Sequence, residues 1–326
     1  MKESLYLHIP SYEELWYRQK IMQDPDTMSY NKGYDMDFEG YDKTTGCISF
    51  PEWEWADWYA YFIGQEPLRF YAYIVRKSDG AFIGEVNVHR NPNASWYEMG
   101  IVLEAKYREK GYAATSLWLL LRHAFEEMNA DAVRNDFEEE RSAAVQAHLS
   151  AGFTKCGKEN GILGLMISRE QYFRQKAIHS MVAAINGILA DNQPSIYLYG
   201  SSVLDDFRLG WSAIDILVLT EKQISQAQAK KLLELRQNLL DKEPSNSYYR
   251  SFEGGMLTLS AFCSGKADRV VYWGTNGQRI TDRYSFDSFC MTELLKKGRL
   301  LYGPEIRSQL VLPEYAALYA DVKYHL

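Results

Sequence analysis

Cysteine is scarce in this chain of 326 residues. The four that occur, Cys47, Cys156, Cys263 and Cys290, lie far apart and form no Cys-x-x-Cys pair. That argues against a disulfide framework and against a thiolate zinc site, and favours free thiols in a reducing compartment. The six histidines are scattered without a His-x-x-x-His spacing, so no metal site is read. Long apolar runs are missing too. No window approaches the roughly 18–20 uninterrupted apolar residues of a membrane helix, and Met1-Lys2-Glu3-Ser4 has no signal-peptide character. A cytoplasmic protein without membrane contact is expected. Positive charge is in deficit: 36 Lys and Arg stand against 43 Asp and Glu, net −7, with no basic, aromatic-laced stripe. Nucleic acid is therefore a disfavoured partner.

What is present is ordinary in bulk, 46% hydrophobic and 24% charged, and uneven in detail. The length is about twice that of a typical domain, so two domains are predicted. Residues 1–175 hold 19 Lys and Arg against 27 Asp and Glu, whereas residues 176–326 hold 17 against 16. Nearly all of the imbalance lies in residues 24–57, where Asp24, Asp26, Asp35, Asp37, Glu39, Asp42, Glu52, Glu54 and Asp57 face only Lys32 and Lys43. Tyrosines and tryptophans run through the same stretch. Carboxylates interleaved with aromatic rings attract a cation at long range and hold it against π faces. Asp35, Asp37, Trp53 and Trp55 are the candidates for that contact. The competing reading is a solvated acidic loop with aromatics packed beneath it.

The first half is organised around residues 97–125. Tyr97-Glu98-Met99-Gly100-Ile101-Val102-Leu103 reads as a strand, Tyr107-Arg108-Glu109-Lys110-Gly111-Tyr112-Ala113-Ala114-Thr115 as a short basic loop, and Leu117 to Phe125 as the apolar face of a helix. Small residues at such a turn leave backbone N–H groups free to hold phosphate at the helix N-terminus. The Arg-x-x-Gly-x-Ala spacing, the preceding Phe82-Ile83-Gly84-Glu85-Val86 strand, and Ala143-Ala144 followed by Gly152-Phe153 together resemble the GNAT superfamily of N-acetyltransferases over residues 1 to about 173.

The resemblance implies a GNAT fold with a central mixed, mostly antiparallel sheet, and acetyl-coenzyme A as the donor. Its pyrophosphate would be gripped by Arg108, Lys110, Gly111, Tyr112, Ala113, Ala114 and Thr115, its pantetheine arm by the backbone of Ile101, Val102 and Leu103. The acidic segment would bind the acyl acceptor, a small-molecule amine such as a polyamine or an aminocyclitol.

For the proton chemistry the resemblance offers three residues. Glu98 stands where many of these enzymes carry a base. Asp136, eight residues before Ala144, stands where enzymes similar to aminoglycoside 6′-N-acetyltransferases carry a catalytic aspartate. His148, four before Gly152, stands where a Tyr usually protonates the departing thiolate, and Arg141 stands where an Asn commonly binds the coenzyme. The last two depart from the family pattern.

A domain boundary is predicted near Arg174, giving domains 1–174 and 175–326, with no Gly/Ser linker between them. In the second, the strand Ser195-Ile196-Tyr197-Leu198-Tyr199 runs into Gly200-Ser201-Ser202, followed by Ala213-Ile214-Asp215 in an apolar strand. This looks like a nucleotidyltransferase domain of the polymerase-β type, an α/β fold similar to aminoglycoside adenylyltransferases. Such domains receive the nucleotide phosphates on Gly-Ser and hold two metals on paired acids. Here Gly200, Ser201 and Asp215 match, but Ala213 replaces the first acid, and Thr258 stands where the third is expected. A domain without catalytic activity is predicted. The alternatives are nucleotide or ligand binding without turnover, a dimerisation surface making a homodimer, or a bifunctional enzyme in which both transferases work.

Overall fold

The computed structural model describes residues 4–37, 39–204, 207–266, 269–274 and 277–325. The chain divides into two compact units, Met1–Tyr172 and Phe173–Leu326. No described helix is long and apolar enough to cross a membrane.

In the first unit β1 (Leu5–His8) leads into a 3-10 turn, Tyr12–Leu15, whose start is fixed by a capping box between Ser11 and Glu14. α1 (Trp16–Met22) follows directly and buries Tyr17, Ile21 and Met22. Asp24 caps α2 (Pro25–Met28), with Pro25 at the first helical position where its missing N–H costs nothing. α3 (Trp55–Phe62) precedes the hairpin of β2 (Arg69–Arg76) and β3 (Phe82–Arg90). Then come β4 (Tyr97–Leu103), α4 (Tyr112–Arg122), β5 (Ala132–Glu138), α5 (Ser142–Ser150), β6 (Thr154–Glu159) and β7 (Ile162–Ser168).

These strands form one seven-stranded sheet in the order β1-β2-β3-β4-β5-β7-β6. Every neighbouring pair is antiparallel except β4 and β5, which run parallel. The sheet is thus mixed and mostly antiparallel, as the resemblance implied. α4 buries Leu117, Leu120 and Leu121 and packs on one face, across β1, β3 and β4. The other face carries α1 and α2, with Tyr17, Ile21, Met22 and Met28 set against Tyr71, Tyr73, Phe82 and Val102. Full burial of one such aliphatic side chain contributes about 1.5–3 kcal/mol.

The sheet opens at one place. β4 and β5 pair only at Tyr97↔Val133 and Glu98↔Arg134, then diverge. Among the described residues, β4 from Met99 onward has a strand neighbour on one side only, β3.

α6 (Arg169–Leu189) is one continuous helix, and the division between the units falls inside it. The second unit then contains β8 (Ser195–Tyr199), β9 (Ile214–Thr220), α7 (Gln226–Lys242), β10 (Phe252–Thr258), α8 (Leu259–Ser264), β11 (Val270–Gly274), β12 (Gly277–Thr281), α9 (Ser288–Lys296), β13 (Arg299–Tyr302) and α10 (Tyr315–His325). Its six-stranded sheet has the order β12-β11-β10-β9-β8-β13, with only β9 and β10 parallel. α6 and α7 bury Met181, Ile185, Ala229 and Leu232 against Ile196, Ile216 and Val218 on one face of it.

α9 closes where Lys297 and Gly298 donate back to Glu293 and Leu294, and β13 follows at once. β10 ends at Thr258, whose side chain caps α8.

Candidate active site

Side chains alternate across a strand, so β3 turns Glu85, Asn87 and His89 to the face that carries α1, β4 turns Glu98, Gly100 and Val102, and β5 turns Arg134, Asp136 and Glu138. Four carboxylates therefore lie along one face, on either side of the β4–β5 divergence. Each has its own basic partner. Arg18 pairs with Glu85, whose other oxygen accepts the Tyr71 hydroxyl. His89 Nε2 lies 3.1 Å from Glu98 Oε2, while Asn91 donates to Glu98 Oε1. Arg134 Nε lies 3.0 Å from Oδ1 and 2.9 Å from Oδ2 of Asp136. Arg141 Nε stands 2.6 Å from Glu138 Oε2, an ion pair without hydrogen-bond geometry.

The Arg18 guanidinium is enclosed by rings, 4.7 Å from the centroid of Trp58 and 5.2 Å from that of Phe50. Burial opposes its charge, and the Glu85 carboxylate more than compensates, so it stays a permanent cation. The Tyr30 hydroxyl is pushed up to about 12, first by burial and then by Glu85, with Arg141, Arg18 and Arg108 working the other way. Arg141 stacks 5.2 Å from the Tyr30 ring and 5.4 Å from that of Tyr34.

On the opposite face of β5, Asn135 Nδ2 lies 3.0 Å from His148 Nε2, and His148 Nδ1 lies 2.8 Å from Ala144 O. A carbonyl only accepts, so Nδ1 carries the proton and Nε2 accepts from Asn135. His148 is 2% exposed. Burial holds it below the usual histidine range, in its neutral form.

Past the end of β4, Gly111 takes φ = 78°, a left-handed conformation that suits glycine, and no side chain caps α4 there. No atom lies within 4 Å of where a Cβ at Gly111 would be. The first-turn N–H groups of Tyr112, Ala113, Ala114 and Thr115 are thus approachable at the positive end of the helix, an arrangement that fits the phosphates of acetyl-coenzyme A. The two basic side chains of the loop are engaged elsewhere. Arg108 donates to the carbonyls of Leu103, Asp26 and Thr27, bracing the end of β4 against α2. Lys110 Nζ donates to Lys106 O at 2.7 Å. The cradle is made of backbone.

The four residues expected to meet the acceptor are not brought together. Asp35 is exposed and paired with Lys43, Asp37 is exposed, and Trp53 is 75% exposed. Trp55 is a packing residue, 8% exposed against Leu15 and Phe50, with Nε1 donating to Phe50 O at 3.3 Å. Arg18, Tyr30, His89, Asn91 and Arg134 carry no signal in the sequence. Each is an ordinary residue in an ordinary element, and only strand pairing collects them.

In the second unit, Gly200 and Ser201 form the turn after β8, and Asp215 lies opposite Tyr199 on one side and Glu253 on the other. A Cβ at Gly200 would come within 2.3 Å of Asp215 Oδ2, so only glycine fits the turn against this acid. Burial, then Glu253 and Glu293, push the Asp215 carboxyl up to about 6. Ala213 stands just before β9. Thr258 is not the neighbour of Asp215; it pairs with Thr220 at the far end of the strand. Glu253 holds that place, because β10 starts earlier than its apolar residues suggest. Among the described residues, no group of three or more His, Cys, Asp or Glu side chains is placed to hold a metal ion.

Residues 8–154 match the family described as Acetyltransferase (GNAT) domain. The region is accordingly an N-acetyltransferase domain, and its donor is acetyl-coenzyme A. No curated protein matches the chain. Among solved structures, an acetyltransferase of the GNAT family from Bacillus anthracis is 16% identical with a TM-score of 0.40, covering 51% of this chain and 96% of its own. Spermidine N-acetyltransferase from Vibrio cholerae in complex with CoA and spermine is 18% identical with a TM-score of 0.42, covering 52% and 99%. An apo nucleotide-linked sugar GNAT is 15% identical with a TM-score of 0.41, covering 55% and 94%.

Proposed function

We propose that the first unit transfers acetyl from acetyl-coenzyme A to the amine of a cationic small molecule, a polyamine or an aminocyclitol of the aminoglycoside kind. One observation carries this reading: the divergence of β4 and β5 directly after Glu98, with the uncapped start of α4 beyond it. Ile101, Val102 and Leu103 sit where an added strand would pair with β4, and a pantetheine arm supplies such a partner. The coenzyme contributes a thioester whose carbonyl is open to attack by a neutral amine. Transfer in a single complex requires the chain to hold the amine close and remove its proton.

Glu98 is the base. It lies at the last paired rung before the opening, and its partner is a histidine where the other three carboxylates have arginines. Asp136 is held on both oxygens by an arginine, which stays protonated. His148, neutral and engaged at both nitrogens, positions Asn135 at the opening rather than donating a proton. The acidic segment over residues 24–57 draws cations to the region. A cytoplasmic setting suits the four free cysteines.

A coupled thiol-release assay with acetyl-coenzyme A over polyamines, aminoglycosides and amino-terminal peptides tests the reading. Release with a polycation is the expected result. Tight coenzyme binding with no release from any amine would overturn it.

A second reading concerns Phe173–Leu326, proposed as a nucleotidyltransferase-like module that binds without turnover. The fit of Gly200 against Asp215 supports it, and so does the single acid at the start of β9. Calorimetric titration with ATP and Mg²⁺ tests it: measurable heat without transfer is expected, and no heat removes the reading.

A further inference from the structure

We infer that His89 completes the base, so that Glu98 and His89 work as a dyad rather than Glu98 alone; this rests on the acetyl-transfer reading above. The pair is a directly opposed cross-strand position, His89↔Glu98, with Nε2 and Oε2 at 3.1 Å. Both side chains are partly open, 35% and 42% exposed, so a proton reaching Glu98 has a route through the imidazole to water. The carboxylate cannot swing away. Asn91 holds its second oxygen, and Asn91 is itself fixed because its Oδ1 accepts the Asn93 N–H at 2.8 Å.

The surroundings decide which of the face's four pairs can do this. Arg69, opposite His89 on β2, is turned away onto Tyr61, its guanidinium 3.7 Å from that ring. Arg134, opposite Glu98 on β5, is committed to Asp136. Glu85, Asp136 and Glu138 are all paired with arginines, which have no proton to exchange near neutral pH. Of the four, only Glu98 has a partner that both accepts and releases one.

The protons balance. An ammonium acceptor carries three. One remains on the product amide, one departs on the coenzyme's thiol, and one passes to Glu98 and on to Nε2 of His89, which receives it as a neutral imidazole with its own hydrogen on Nδ1. His89 then returns it to solvent, and no oxidant or further reactant is needed.

The test is His89→Gln, which keeps a hydrogen-bonding group but cannot carry the proton, beside His89→Ala with and without added imidazole. kcat should fall at least about tenfold in His89→Gln, with KM for acetyl-coenzyme A unchanged. The acidic limb of the pH profile of kcat/KM should move to lower pH, and imidazole should restore part of the rate of His89→Ala. A merely structural histidine would move none of these. If the wild type acetylates an amine, Glu98→Gln abolishes turnover, and His89→Gln keeps the wild-type kcat and pH profile, the dyad is wrong and the enzyme reading stands. If the wild type acetylates nothing, both are wrong.

Discussion

The two units treat acidic side chains in opposite ways. In the first, four carboxylates on one sheet face are each paired with a basic side chain, three arginines and a histidine, so their positions are fixed. In the second, Asp215 is buried beside Glu253 and Glu293, and among the described residues no cation is paired with it. A matched carboxylate is held as an acceptor of protons from something else. An unmatched one takes up a proton itself as the pH falls towards 6. The difference separates a face of paired acids from one whose charge would need a bound cation to persist.

The largest effect that would break this contrast is in turnover. Glu98→Gln should lower kcat by about 10² to 10⁴-fold, whereas Asp136→Asn should change it only a few-fold. Steady-state kinetics with the best amine decides, and the reverse ranking would move the base to β5.

Next comes the matched pair inside the aromatic enclosure. Arg18→Met leaves Glu85 buried without a cation and should cost about 3 kcal/mol of stability. Adding Glu85→Leu should recover most of it, measured by urea unfolding of the single and double variants. Failure of the double variant to recover would show that packing, not charge, dominates there.

Asp215 sharpens the comparison from the other side. Its folded value is raised above the unfolded one, so the native state binds the extra proton. Stability is fully present below about pH 4 and is lost as the pH rises to about 6. Asp215→Asn should remove that dependence and be more stable than wild type by about 1–3 kcal/mol at pH 7. Equal unfolding curves for the two proteins at pH 4 and pH 7 would refute it. The smallest effect is at the turn before α4. Gly111→Ala must hold a left-handed φ, at a cost of about 1 kcal/mol, and should weaken acetyl-coenzyme A binding several-fold by calorimetry.

Much of the first unit can be read from residue order because its signals are local. The Ser78-Asp79-Gly80 turn, the alternating strands on either side and the glycine ahead of α4 each specify a conformation over a few residues. β6 carries no such signal. Thr154 to Glu159 are all exposed, so no apolar alternation marks a strand that exists because β7 pairs with it. The start of β10 is hidden for a related reason. Gly254 and Gly255 lack strand propensity, yet they sit mid-strand because β9 lies alongside. Trp55 shows the limit for side chains: an acidic, aromatic run reads the same whether its rings face a ligand or, as here, Leu15 and Phe50.

By itself the sequence determined the glycine turn that leads into α4 and the alternation that marks β2 and β3. These depend on neighbours along the chain. Only the tertiary structure decided which acid meets which base. Arg18 and Glu85 are 67 positions apart, and Asp215 and Glu253 stand on strands joined by a helix. Strand register sets those meetings, and register is fixed by how whole faces pack, which no short stretch of sequence contains.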